Sequence, residues 1–161
     1  MFIRFITTGG TIDKIYFDAL SQFEVGESPI GPILTDALVS FDYEIVSLFR
    51  KDSLELTDGD RQSLRAYIAG DDAQYFVVSH GTDTMVESAK ALLDLEGKRI
   101  VLTGALSPAR FKTTDAMFNI GMAVAAVQTV KPGVYIAMNG QVFPAAHVKK
   151  NREQNRFEKI G

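Results

Sequence analysis

No cysteine occurs among the 161 residues, which excludes disulfides and thiolate metal sites and fits a reducing compartment. Long hydrophobic runs are missing too: no stretch approaches the ~20 apolar residues that a membrane-spanning helix needs. Met1–Ile6 is short and lacks a basic leading region, so it does not read as a signal peptide and the expected location is cytoplasmic. Strong charge of either sign is absent. Lys plus Arg number 17 against 20 Asp plus Glu, a formal net charge of −3, which gives no electrostatic case for nucleic acid or a membrane surface. Histidine is scarce, with only His80 and His147, and no cluster has metal-ligand spacing, so no metal is expected. What remains is 46% hydrophobic and 23% charged, enough for one domain over residues 1–161.

The clearest local pattern is Tyr75-Phe-Val-Val-Ser79 followed by His80-Gly81. A continuous apolar run of this length reads as a strand buried on both faces, typical of a parallel sheet. Thr84 and Glu87 then form an S/T-x-x-E capping box, predicting a helix over Met85–Leu95. Thr82 and Asp83 are thereby held where a strand stops and a helix starts.

Elsewhere the spacing predicts strands at Phe2–Thr7, Glu44–Phe49, Arg99–Thr103 and Gly133–Met138. Ile12–Pro32 reads as a long loop and Ile33–Phe41 as a short helix. Thr57 and Asp60 open a helix with Leu64, Tyr67 and Ile68 on one face, closed by Gly70 as a C-cap. Thr114–Val130 reads as a helix with Met117, Ile120, Gly121, Val124 and Val127 inward. Gln141–Gly161 shows no regular period. Alternating strands and helices predict an α/β fold: a doubly wound, Rossmann-like or flavodoxin-like, mostly parallel sheet with helices on both faces.

In such a sheet ligands bind beyond the carboxyl ends of the strands. There the first strand delivers Thr11, the second Asp52 and Ser53, and the third Thr82 and Asp83. Ser, Thr and Asp favour turns in any protein, which by itself accounts for any one of these placements. All three together, beside Gly9-Gly10 where backbone can approach closely, favour a site.

The motifs Thr8-Gly-Gly-Thr-Ile12, His80-Gly-Thr-Asp-Thr84 and Leu102-Thr-Gly-Ala-Leu106, followed by Pro108, Asp115 and Asn119, resemble those of the bacterial-type L-asparaginases, which include the asparaginase/glutaminases. The resemblance covers nearly the whole chain but only the N-terminal domain of the usual two-domain enzyme. It implies hydrolysis of L-asparagine to aspartate and ammonia, with a possible minor action on glutamine and no cofactor. By motif, Thr11 is similar to the family's nucleophile, and Thr82, Asp83 and Lys150 to its second threonine, acid and lysine. Ser53, with Asp52, matches the grip on the substrate α-carboxylate, and Asp83 also meets the α-ammonium. Gly10 and Gly81 are also expected to touch the substrate. Lys149 is one residue away from the lysine position.

The chemistry of these residue types is consistent with those roles. A threonine hydroxyl barely ionises near neutral pH and needs an adjacent base. A buried lysine of lowered pKa is a candidate for that base. Backbone N–H groups at a helix start can hold an oxyanion.

Two departures stand out. Where the family has a tyrosine on its flexible segment, this chain has Phe23, so Tyr16 is the candidate replacement. The resemblance stops at the N-terminal domain, so another copy is expected to complete the site in a homo-oligomer, a dimer or tetramer. His80 reads as a structural histidine that orients its turn, Asp71-Asp72 as a polar turn. Two competing readings are a non-catalytic module that binds a small amino acid, and a nucleotide- or phosphate-binding domain. Against the latter, Thr8-Gly-Gly-Thr11 fits neither dinucleotide nor P-loop spacing.

Overall fold

The structure is a computed structural model describing residues 1–17 and 22–161. At its centre lies a six-stranded sheet built from β1 (Phe2–Gly9), β4 (Asp42–Lys51), β5 (Tyr75–Ser79), β6 (Arg99–Thr103), β7 (Gly133–Met138) and β8 (Gln141–Pro144). Their order is β4-β1-β5-β6-β7-β8. The first five are parallel, and β8 runs antiparallel along the edge of β7. Apart from β8, this is the doubly wound order in which chain direction across the sheet reverses between β1 and β5, the place where such sheets take ligands.

Two apolar layers explain why β5 is continuously hydrophobic. Phe76 and Val78 face one layer, with Ile6, Leu102, Leu64 and Met85. Val77 faces the other, with Phe5, Val101, Ile30 and Ile120. A strand alternates its side chains, so only a sheet covered on both faces needs every position apolar. The first layer is covered by α2 (Asp58–Gly70) and α3 (Met85–Lys90), the second by α1 (Ile30–Asp36) and α4 (Ala116–Thr129).

Several local expectations change. Ile12–Pro32 is not all loop: β2 (Lys14–Phe17) pairs antiparallel with β3 (Gln22–Val25). The short helix is Ile30–Asp36 rather than Ile33–Phe41. Pro32 falls in its first turn, where a missing N–H leaves no bond unmade. Leu38 at φ 52° then turns the chain toward β4.

Thr57 and Asp60 do form a reciprocal capping box, but Gly70 is the last helical residue and Asp71 leaves it extended. The Thr84 hydroxyl does not cap α3. It donates instead to the carbonyl of Ser53 at 2.7 Å, a competing bond of the kind threonine makes readily. The helix itself ends at Lys90, followed by turns.

On α4 the inward residues are Ala116, Asn119, Ile120, Ala123 and Val127, with Met117 49% exposed. Gly121 and Val124 are not among the buried residues either. Asn119 fixes the rotation, since its Nδ2 donates to Gly104 O and Asp115 Oδ2, each at 2.9 Å.

The expected irregular tail is also ordered. Asn139 and Gly140 both have positive φ and join β7 to β8 as a two-residue hairpin, a turn that Asn-Gly favours. β9 (Val148–Asn151) then pairs with β10 (Arg156–Lys159), and Val148 and Phe157 sink into the first apolar layer.

Candidate active site

The exits of β4, β1 and β5 lie side by side because those strands are neighbours in the sheet. Close backbone contact joins them. Gly10 has φ 87°, open only to glycine at low cost, and a Cβ there would stand 2.5 Å from both Cα and N of Gly81. A Cβ on Gly81 would stand 2.5 Å from Cβ of Ser53. Gly10 N also donates to Lys51 O at 2.9 Å. The three predicted segments therefore meet.

Thr11 opens a short 3-10 turn, Thr11–Asp13, immediately after Gly10 and is half-buried. Thr82 is 8% exposed. Lys150 reaches it from β9: its Nζ donates to Thr82 Oγ1 and to Asp83 Oδ1, each at 2.8 Å. Side chains two apart on a strand share a face. Lys150 thus projects on the same side as buried Val148, whereas Lys149 is exposed. That periodicity separates the two adjacent lysines.

Arg152 adds a second cation, donating to the Asp83 carbonyl at 3.2 Å with its Nε 3.8 Å from Asp83 Oδ1. Among the described residues, the Thr11 hydroxyl makes no hydrogen bond to this group.

Ser53 is buried behind Gly81. The Asp52 carboxylate is engaged locally, accepting from Leu54 N at 3.1 Å and pairing with Lys14 Nζ at 3.3 Å. Tyr16 and Phe23 occupy the same register position of the β2–β3 hairpin, while their side chains lie outside the described residues.

His80 is fully buried, and burial pushes its pKa down to about 4. Its Nδ1 lies 2.7 Å from Gly81 O and its Nε2 2.7 Å from Ser88 Oγ. Since a carbonyl only accepts, we assign the proton to Nδ1. Ser88 then donates to Nε2 while accepting from Arg61 Nε at 3.2 Å. This chain holds the turn that carries Thr82. Beyond β6, Asp115 accepts from Leu106 N and Ser107 N, so Asp115 and Asn119 shape the adjacent loop.

Sequence reasoning missed Asp13. It is 2% exposed, burial raises its pKa to about 6, and its Oδ1 has no partner. Nothing in the sequence distinguishes it from a surface aspartate. Among the described residues, no group of three or more His, Asp or Glu side chains could hold a metal ion, and no helix is long and apolar enough to cross a membrane.

A doubly wound sheet with a threonine, a carboxylate and a half-buried lysine joined at its carboxyl edge defines an α/β protein of the doubly wound class. The model of the asparaginase N-terminal family matches residues 2–158, and the chain belongs to that family. An L-asparaginase of Bacillus licheniformis is 30% identical over 95% of this chain and 51% of its own length. A glutaminase-asparaginase of Pseudomonas aeruginosa is 28% identical over 90% of this chain and 44% of its own. The chain thus spans about half the length of these curated relatives. The thermostable L-asparaginase from Thermococcus kodakarensis matches 99% of this chain and 51% of its own at a TM-score of 0.83 with 23% identity, a likeness of fold.

Proposed function

We propose that this chain hydrolyses the side-chain amide of L-asparagine to L-aspartate and ammonia through a threonine-bound acyl intermediate. The observation that carries the reading is Lys150 Nζ at 2.8 Å from both Thr82 Oγ1 and Asp83 Oδ1. An amine and an alcohol in contact can pass a proton between them, and a neighbouring carboxylate orients the amine.

In this scheme Thr11 Oγ forms a bond to the amide carbon and its proton passes to the departing nitrogen. Backbone N–H groups of the Gly10–Thr11 and Gly81–Thr82 turns stabilise the oxyanion. The C–N bond breaks, ammonia leaves, and an ester on Thr11 remains. Water, deprotonated through Thr82 and Lys150, attacks that ester, and the proton returns to Thr11 as aspartate departs. Ser53 and Asp52 meet the substrate α-carboxylate through N–H and O–H donors, and Asp83 the α-ammonium. Tyr16, opposite Phe23 in the hairpin register, supplies the hydroxyl that Phe23 lacks. A homo-oligomer closes the site, and exposed Phe118 and Met117 on α4 suit burial against a second copy.

Ammonia release from asparagine by wild type, Thr11→Ala and Thr82→Ala tests this scheme. Loss of about a thousandfold or more is expected in each variant; wild-type rates in both would refute the mechanism. The absence of a hydrogen bond between Thr11 and the lysine group favours a second reading, an amino-acid-binding module without turnover. Saturable asparagine binding by calorimetry with no ammonia formed would select it.

A further inference from the structure

On the sheet face opposite Lys150 lies a cavity of about 670 Å³ that the reaction does not use. Thr7 and Ser47, register partners on β1 and β4, line it. Arg50 and Arg110 both line it as well. Its volume falls in the range that small-molecule sites occupy, roughly 300–1,000 Å³.

The two guanidinium groups are exposed and come from different elements, the end of β4 and the loop after β6. Both charges act on the buried Asp13 carboxylate, but among the described residues neither forms a direct ion pair, whereas Arg4, Arg61, Arg65 and Arg156 all do. Arg110 is oriented by donating to the carbonyl oxygens of Glu27 at 2.8 Å and Asp13 at 3.5 Å, which leaves three of its five N–H donors open. Ser28 and Ser47 also line the cavity, and Pro29, Pro32 and Ile45 give it apolar surface. Glu27 also lines the cavity and favours ligands whose anionic end turns away from it.

We infer that this cavity is a second ligand site, taking a small organic anion whose acidic head group bridges Arg50 and Arg110 and whose apolar part lies along Pro29, Pro32 and Ile45. Paired guanidinium donors suit the oxygens of a phosphate or carboxylate better than a single point charge does. The site is separate from the Thr82–Asp83–Lys150 group and does not depend on asparagine turnover.

Calorimetric titration with phenyl phosphate, phenylacetate and inorganic phosphate tests the inference. One phenyl compound is expected to bind at one per chain, about tenfold tighter than inorganic phosphate because its ring is buried. Whichever phenyl compound binds identifies the head group. Arg50→Gln, a residue with no hydrogen bond to lose among those described, is expected to weaken binding about tenfold, and Arg110→Gln likewise. Lys150→Met is expected to leave it unchanged. No saturable binding at millimolar concentration, equal binding in the Arg50 variant, equal affinity for inorganic phosphate, or loss in Lys150→Met would each overturn it. Ammonia release, read separately, reports on the amidohydrolase reading alone.

Discussion

Gly10 and Gly81 meet backbone to backbone, so closely that a Cβ on Gly10 would stand 2.5 Å from the Gly81 Cα. This contact joins the turn that carries Thr11 to the turn that carries Thr82. A methyl group at either position has nowhere to go, because the nearest atoms are main chain at Gly81 and buried Ser53. Gly81→Ala is expected to destabilise by about 1–3 kcal/mol and to abolish ammonia release even where the fold survives. Thermal melting beside an activity assay checks both. Full activity with an unchanged melting point would show that the contact is not needed.

Lys150 and Lys149 are neighbours in sequence and face opposite ways. Lys150→Met is expected to lower ammonia release by a factor of about 10²–10⁴, the usual weight of a general acid–base group. Lys149→Met is expected to leave the rate within about twofold, since exposed substitutions seldom matter. Steady-state rates of the two variants at equal fold content, judged by circular dichroism, decide the point. Equal losses would mean that the strand register assigns the wrong lysine.

The strand ends were legible in the sequence because a doubly covered sheet demands unbroken apolar runs, and Tyr75–Ser79 is one. The capping box at Thr57 was legible for the same local reason. Thr84 was misread because its hydroxyl bonds Ser53, thirty-one positions away, a tertiary contact that no local pattern reveals. The α4 stripe was misread by about one position because buried Asn119, rather than the larger apolar residues, sets the helix rotation. Asn139-Gly140 carried a hairpin signal that could have found β8. The Lys150 site rests on the motif resemblance and on period-two alternation beside Val148. Asp13, whose importance is entirely its burial, left no trace.

Asp13 and His80 respond to acid in opposite directions. Burial raises the folded pKa of Asp13 to about 6, so its favourable contribution is complete below the unfolded value of 3.8 and is lost as pH rises through 6. At pH 7.5 its ionised carboxylate costs on the order of 3 kcal/mol. His80 has its folded pKa depressed to about 4. Its contribution is complete above the unfolded value of 6.5 and is lost as pH falls through 4. The two slopes offset each other between pH 4 and 6. Asp13→Asn is expected to stabilise the protein by about 1–3 kcal/mol at pH 7.5 and to make stability fall more steeply than wild type on acidification. Urea unfolding at pH 7.5, 6 and 4.5 measures this. A variant less stable at pH 7.5 would show that the hydrogen bond with Ser28 and the charges of Arg110 and Arg50, which oppose the effect of burial, outweigh it.

Phe157 ties fold to chemistry most directly. It is 2% exposed in the first apolar layer and sits opposite Lys150 in the β9–β10 ladder, while its N–H donates to Asn139 Oδ1 at 2.7 Å. Removing its ring takes out packing of the β9–β10 hairpin in the first apolar layer and so loosens the strand that presents Lys150. Phe157→Ala is expected to cost about 3–5 kcal/mol. In the surviving folded fraction, ammonia release should fall far more than the loss of folded protein accounts for. Phe157→Leu, which keeps most of the volume, should restore much of both. Hydrogen exchange at Val148–Asn151 separates the explanations. Faster exchange there in Phe157→Ala, with β5 still protected, is the expected result, whereas uniform acceleration would mean that Phe157 serves the whole core and not the lysine strand.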